Sequence, residues 1–287
     1  MFRIAASFFY SILILLLLCQ PLWAQLRCTA RSQALCESYL SGLKDCDPNQ
    51  PIGQIAIEVG QRMMGTPYVG GTLENPEGEL LTVDLEGLDC TTFLENVVVM
   101  SRLVQQKRLD FESFQAELTR LRYRGGALQG YDSRLHYFSD WIYDNTQKGI
   151  VQDVTQAIGG ESYPKTIDFM GTHRQAYAAL SDDQLFASIL QTEQALNQRK
   201  HFFIPKAKVA ALDQHIEDGD LIAITTTVKG LDVSHVGIAI HHQGRLHLLH
   251  ASTDQKEVVI SKRPLAEYLA GNRSQSGIMV ARLLGIN

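Results

Sequence analysis

Three residues in this chain can do covalent chemistry together, through the sulfur of Cys90 and the imidazoles of His235 and His250. A thiolate attacks carbonyl carbon readily, but it needs a base to take and return a proton, and that base needs a partner to orient it. The combination therefore means acyl transfer through a covalent intermediate, provided the fold gathers the three side chains.

The neighbouring residues indicate how it would. Asp89 and Thr92 are both good helix caps, and Glu95 follows Thr92 at capping-box spacing. Phe93, Leu94, Val97, Val98, Met100, Leu103 and Val104 then recur at helical intervals. The pattern predicts a helix opening at Cys90, where unpaired N–H groups and the positive end of the helix dipole favour a thiolate. Upstream, Gly65-Thr66-Pro67-Tyr68-Val69-Gly70-Gly71 is rich in turn residues, and its glycines let one aromatic, Tyr68, pass close to the helix start.

Near the other end, Asp218-Gly219-Asp220 reads as a turn, followed by strand patterns over 221–226, 234–240, 245–251 and 257–261. A hairpin that pairs Ile240 with Arg245 around the four residues His241 to Gly244 sets His235 directly opposite His250. Opposed residues project on one face with Cβ atoms roughly 5 Å apart, within reach of an imidazole pair. The same register places His247 opposite Ile238 on the other face, and an odd-length loop would separate the two imidazoles. A metal site built from His241, His242, His247 and His250 fits poorly. His247 and His250 lie on opposite strand faces, and no carboxylate completes a set.

Composition bounds the rest. The 287 residues are 45% hydrophobic and 20% charged, a globular balance that rules out disordered, collagenous and coiled-coil chains. A formal charge of -5 gives no general pull toward nucleic acid or anionic membrane. Arg3, the mostly apolar 16-residue run Ile4 to Cys19, and the small residue Ala24 have the layout of a secretory signal peptide over 1–24, too short to span a bilayer comfortably. Leu18 before Cys19 argues against a lipoprotein site. Export to the periplasm or beyond, with no stable membrane anchor after cleavage, is the expectation. It also permits a short-range disulfide among Cys28, Cys36 and Cys46 in the segment 25–50, with the pairing left open.

Taken together, Leu88-Asp89-Cys90, Gly65-Thr66-Pro67-Tyr68 with Gly70-Gly71, Gly219-Asp220-Leu221, Ser234-His235-Val236-Gly237-Ile238 and His250-Ala251-Ser252 resemble the NlpC-type papain-like cell-wall peptidase superfamily. The 145 residues between Cys90 and His235 exceed its compact members. With His136-Tyr137-Phe138-Ser139-Asp140-Trp141, Gly159-Gly160 and Phe169-Met170, the chain is similar to that superfamily's N-acetylmuramoyl-L-alanine amidase-like branch over most of 50–287.

The resemblance implies an α+β fold: a papain-like core with the nucleophile at a helix N-terminus packed on an antiparallel sheet, plus a large, mainly helical insertion at about 105–215 within a domain spanning 51–287. It implies Cys90 as nucleophile, His235 as base and His250 as its orienting partner, with Tyr68 and Asp89 lining the site and no metal or other cofactor. The substrate would be peptidoglycan or a muropeptide, cleaved between N-acetylmuramic acid and L-alanine. From the insertion, Arg122, Arg124, His136, Tyr137 and Trp141 are expected to face the sugar end, since carboxylates and sugar faces suit Arg and aromatic partners. Two alternatives stand beside this: an endopeptidase cutting D-Glu to diaminopimelate, in which Asp89 would hold a free amine, and a non-catalytic wall-binding protein.

Overall fold

The computed structural model describes residues 26–286 apart from Glu77; the predicted signal peptide lies outside the described residues. Its centre is an antiparallel sheet formed by β5 (Phe202–Pro205), β6 (Leu221–Thr226), β7 (Val233–His242), β8 (Arg245–Ala251), β9 (Val258–Ile260) and β10 (Gln275–Leu283). Spatial order is β5, β10, β6, β7, β8, β9. The central strands read as nearly continuous apolar runs because both faces are covered. Leu221, Ala223, Ile238, Ile240, Met279 and Ala281 enter one core, while Ile222, Ile224, Ala239, Ile278 and Val280 enter another.

On the first face lie α1 (Ala30–Gly42), α2 (Ile52–Arg62), α3 (Cys90–Gln106) and α4 (Phe111–Arg122). Helix α3 is buried from Thr92 to Val104, so its apolar residues point all round rather than along one stripe. Each large one removes about 1.5–3 kcal/mol worth of apolar surface from water. The opposite face is covered by α8 (Lys206–Leu212) and α9 (Leu265–Ala270), through Val209, Leu265 and Leu269.

Two expectations about organisation change. The segment 25–50 is no appendage: Cys36, Leu40, Leu43 and Cys46 are part of the main core, and β1 (Leu26–Cys28) pairs in parallel with β2 (Leu81–Val83). No disulfide links its cysteines. Cys28, Cys36, Cys46 and Cys90 are all free, Cys36 is sealed in the core, and the Cys46 thiol donates to Glu58 at 3.3 Å. The insertion carries α5 (Phe138–Gln147), α6 (Phe169–Thr172) and α7 (Asp183–Asn197), but also β3 (Val151–Asp153) and β4 (Glu161–Ser162). Strand β3 pairs with β10, and β4 pairs with β5, which itself belongs to the interval and pairs with β10. The interval is mainly helical, as expected, and its short strands also widen the sheet.

Ionic groups that fall inside this core are paired. Glu95 on α3 accepts from Arg122 at 2.7 Å and from the Trp141 indole at 3.3 Å, and Arg122 also donates to the Thr82 carbonyl at 2.7 Å. Both partners of the ion pair are almost wholly buried. Removing one leaves the other charged in a dry site, at a cost of about 3–5 kcal/mol. Urea unfolding of Arg122→Met is therefore expected to show a loss of about 3 kcal/mol, part of which Glu95→Gln restores in the double variant. Stability equal to wild type in the single variant would contradict this role.

Candidate active site

The loop carrying Tyr68 is built as an improvised strand. Gly65 N–H donates to the Val258 carbonyl at 2.9 Å, Tyr68 N–H to Lys256 at 2.7 Å, and Val69 N–H to Leu88 at 3.1 Å; Leu88 N–H returns to Pro67 at 2.9 Å. The backbone between Gly65 and Val69 is thus stitched to β9, to the turn before it and to the residues just ahead of Cys90. Gly65 opens the stretch at φ +83, a conformation that a side chain would strain.

Asp89 caps α3 and Thr92 completes the box. The Asp89 carboxylate accepts from Thr92 N–H at 2.7 Å and from its hydroxyl at 2.8 Å, while Asp89 N–H donates to Thr92 Oγ1 at 2.9 Å. Cys90 is therefore the first helical residue, and Glu95 is occupied in the core rather than at a cap. Here the expected thiolate meets opposition. Burial and the adjacent Asp89 push the thiol up to about 11, against N–H donation to the sulfur from Val236 and Thr91. The resting group is a neutral thiol, held so first by burial and then by the charge of the residue that caps the helix.

Helix α3 packs on β7, the strand that carries His235 and Val236. The ladder between β6 and β7 shifts register at this point: His235 pairs with Ile224, but Val233 pairs with Thr225, so Ser234 bulges. Such bulges re-aim the next side chain. Below it the hairpin closes one step tighter than expected. His242 pairs with Arg245 across a two-residue turn, Gln243 at φ 52 and Gly244 at φ 74, the primed geometry that right-twisted strands favour.

Ile238 consequently pairs with Leu249, and His247 with Ile240, rather than the predicted partners. The error is an even number of residues, so faces are kept and His250 still meets His235, now diagonally across Gly237. A Cβ at Gly237 would come within 2.8 Å of the Leu248 side chain, so the crossing needs glycine. His235 Nε2 and His250 Nδ1 are 2.6 Å apart with rings at 87°. Burial pulls both imidazoles below their ordinary range, so both are neutral at neutral pH.

Four further groups stand near. The Tyr68 hydroxyl is raised by burial and then by Cys90 and Asp89. Tyr268 on α9 packs edge to face with His250 at 5.6 Å, and sequence periodicity gives no hint of it. Asp254, in the turn after β8, acts electrostatically on His235. Buried Asp232 accepts from Ser139 N–H at 2.8 Å and from Val233 N–H at 2.7 Å, tying the start of β7 to α5.

The insertion residues divide. Trp141 is 1% exposed and stacked on Phe138, Tyr137 donates to Glu193 at 2.6 Å inside the core, and Arg122 is held by Glu95. All three side chains are buried and paired within the protein rather than exposed at a surface. Arg124 keeps a free flank while its guanidinium lies 2.6 Å from Asp140. His136 is half-buried, contacts the Tyr131 carbonyl at 2.7 Å and is pushed down to about 3 by burial. Away from the site, His241 is engaged by Asp218 at 2.8 Å, His242 packs on His247, and His247 contacts the Ser261 carbonyl at 2.7 Å. Among the described residues no group of three His, Cys, Asp or Glu is arranged to hold a metal ion, and no helix is long and apolar enough to cross a membrane.

An α+β domain with a thiol at a helix start and paired imidazoles on adjacent strands is an arrangement for acyl transfer, and the comparisons with known proteins are consistent with it. A family model, N-acetylmuramoyl-L-alanine amidase-like, matches residues 58–278. The chain belongs to that family. An N-acetylmuramoyl-L-alanine amidase from Bacteroides uniformis ATCC 8492 is similar in structure with a TM-score of 0.77 and 38% identity, covering 81% of this chain and 98% of that one. A Bacteroides fragilis structure with a provisional xylanase description has a TM-score of 0.74 at 39% identity, over 78% of this chain and 99% of that one. A Legionella pneumophila protein, at 20% identity and a TM-score of 0.66 over 88% of this chain and 95% of that one, shares the fold. No curated protein matches the chain.

The effect of the Asp89 charge on Cys90 is measurable without substrate. Asparagine caps helices as well as aspartate does, so Asp89→Asn keeps the box while removing the negative charge that raises the thiol. Iodoacetamide labelling of Cys90 should be slow at pH 7 and rise with pH in the wild type, and should be several-fold faster at pH 7 in Asp89→Asn. Equal rates would contradict the charge effect.

Proposed function

We propose that this protein is an NlpC-type papain-like cysteine amidase, exported from the cytoplasm, that hydrolyses the amide joining the lactyl group of N-acetylmuramic acid to L-alanine in muropeptides. The observation that carries the reading is the His235–His250 imidazole pair, 2.6 Å apart, on the two strands against which the helix opening at Cys90 packs. Family membership supplies the amidase class and the peptidoglycan-type substrate.

Each step uses groups already described. The Cys90 sulfur attacks the lactyl carbonyl carbon as His235 takes its proton, so no resting thiolate is required. The tetrahedral oxyanion is met by the Cys90 backbone N–H, which has no partner within the helix, and by the Tyr68 hydroxyl. His235 gives the proton to the departing L-alanine nitrogen. It then deprotonates water, which releases the lactyl carboxylate from the thioester. His250 holds His235 in plane throughout. Arg124 and His136 on the insertion serve the sugar end. A mildly acidic chain gives no general attraction to an anionic polymer, which favours small fragments held in a cleft.

The rival endopeptidase would use Asp89 to bind a free peptide amine. Asp89 Oδ1 accepts two hydrogen bonds from Thr92, a capping role that suffices in an amidase, whose substrate amine is acylated. A wall-binding module has no need of a base and its orienter.

Mass spectrometry of muropeptides incubated with the protein tests the reading. The expected product is a peptide beginning with L-alanine, lost completely in Cys90→Ala with the fold intact, blocked by iodoacetamide and unaffected by EDTA. A product beginning with diaminopimelate would establish the endopeptidase, and inactivation by EDTA with survival of alkylation would sink the cysteine mechanism.

A further inference from the structure

One atom at the centre of the site is not explained by the mechanism above. His250 is 1% exposed, its Nδ1 faces His235 Nε2, and its Nε2 is buried without a hydrogen-bond partner. A neutral imidazole has one N–H and one bare nitrogen, so the contact between the two rings can be made in two ways. If His250 donates from Nδ1, the lone pair of His235 is spent on that bond and its Nδ1 carries the proton. If His235 donates from Nε2, its Nδ1 is bare and the His250 proton sits on Nε2. The second arrangement alone leaves His235 able to take a proton from Cys90. It also strands a buried N–H without an oxygen or nitrogen acceptor, which ordinarily costs free energy and favours the first.

The group packed on this imidazole from α9 is Tyr268, with ring centroids 5.6 Å apart and planes at 83°. The negative face of an aromatic ring is a weak acceptor for an N–H directed at it, and the bulk of the ring keeps water from competing. Buried Gln275 on β10 lies near the Tyr268 hydroxyl and acts on it electrostatically.

We propose that Tyr268 is a positioning residue whose ring meets the Nε2 edge of His250 and so fixes the proton arrangement in which His235 presents a bare Nδ1 to Cys90. The proposal rests on the reading of His235 as the base. During attack the thiol proton moves from sulfur to His235 Nδ1, while His235 Nε2–H goes on donating to His250 Nδ1. When the proton passes to the leaving nitrogen, the starting arrangement returns, and His250 has neither gained nor lost a proton.

The test combines a spectrum with kinetics on the full chain. In protein labelled with 15N-histidine, long-range 15N–1H correlation reports which ring nitrogen of His250 is protonated, with His235→Asn and His250→Asn assigning the signals. The expected result is Nε2–H on His250 in the wild type and in Tyr268→Phe, which keeps the ring face, and a mixture of tautomers in Tyr268→Leu. On muropeptide, Tyr268→Leu should lose about tenfold or more in kcat with KM nearly unchanged, the size of a partly disabled general base, and Tyr268→Phe should restore kcat. Nδ1–H on His250 in the wild type would overturn the proposal. So would wild-type kcat in Tyr268→Leu, or equal losses in Phe and Leu, which would make the hydroxyl the working group. Should Tyr268→Leu fail to fold, the wild-type tautomer and the Phe variant decide. The spectrum needs no substrate, so Nε2–H in a protein inactive on muropeptides would overturn the proposed function and uphold the tautomer.

Discussion

The structure depends on the junction where α3, which opens at Cys90, packs against β7, the strand that carries His235. A helix buried on all sides cannot rotate or slide without disturbing its whole surround, and Phe93, Leu94, Val97 and Val98 are each fully enclosed. The sheet is covered on both faces and is equally fixed. Two rigid bodies therefore meet at the one place where reactive groups stand, and the bulge at Ser234 turns His235 toward its partner. Preorganisation of this kind favours catalysis because nothing has to be ordered when substrate arrives.

That junction also sets the electrostatics. Helix-start N–H groups favour a thiolate, but burial and, after it, the capping carboxylate of Asp89 oppose it and prevail. Both imidazoles are neutral for the same reason, burial. The resting site is a neutral thiol beside neutral histidines rather than a preformed ion pair. In the proposed mechanism charge then appears only during reaction, when proton transfer and bond formation take place together.

Much of this was legible in the residues. Local signals identified the helix start, the turn-rich tyrosine loop and the strand faces, because capping chemistry and period-two alternation act over a few positions. The hairpin register was missed by one even step: the spacing suggested a four-residue loop where Gln243 and Gly244 suffice, and parity alone kept His235 and His250 together. The insertion was harder. Trp141, Tyr137 and Arg122 have the composition of a sugar site, yet they are consumed by Phe138, Glu193 and Glu95, partners that only long-range folding supplies. Tyr268 illustrates the same limit, since a tyrosine on a six-residue helix carries no periodic signature of its neighbour on β8.

The central claim is that Cys90 carries the acyl half of the substrate between two steps. Acid quenching during turnover on a muropeptide, followed by peptide-mapped mass spectrometry, measures that directly. The account predicts an adduct on the peptide containing Cys90 whose mass is that of the muramoyl-lactyl group joined as a thioester, and which disappears as turnover ends. An adduct bearing the peptide stem up to D-glutamate, or rapid turnover with Cys90 unmodified at every quench time, would contradict it.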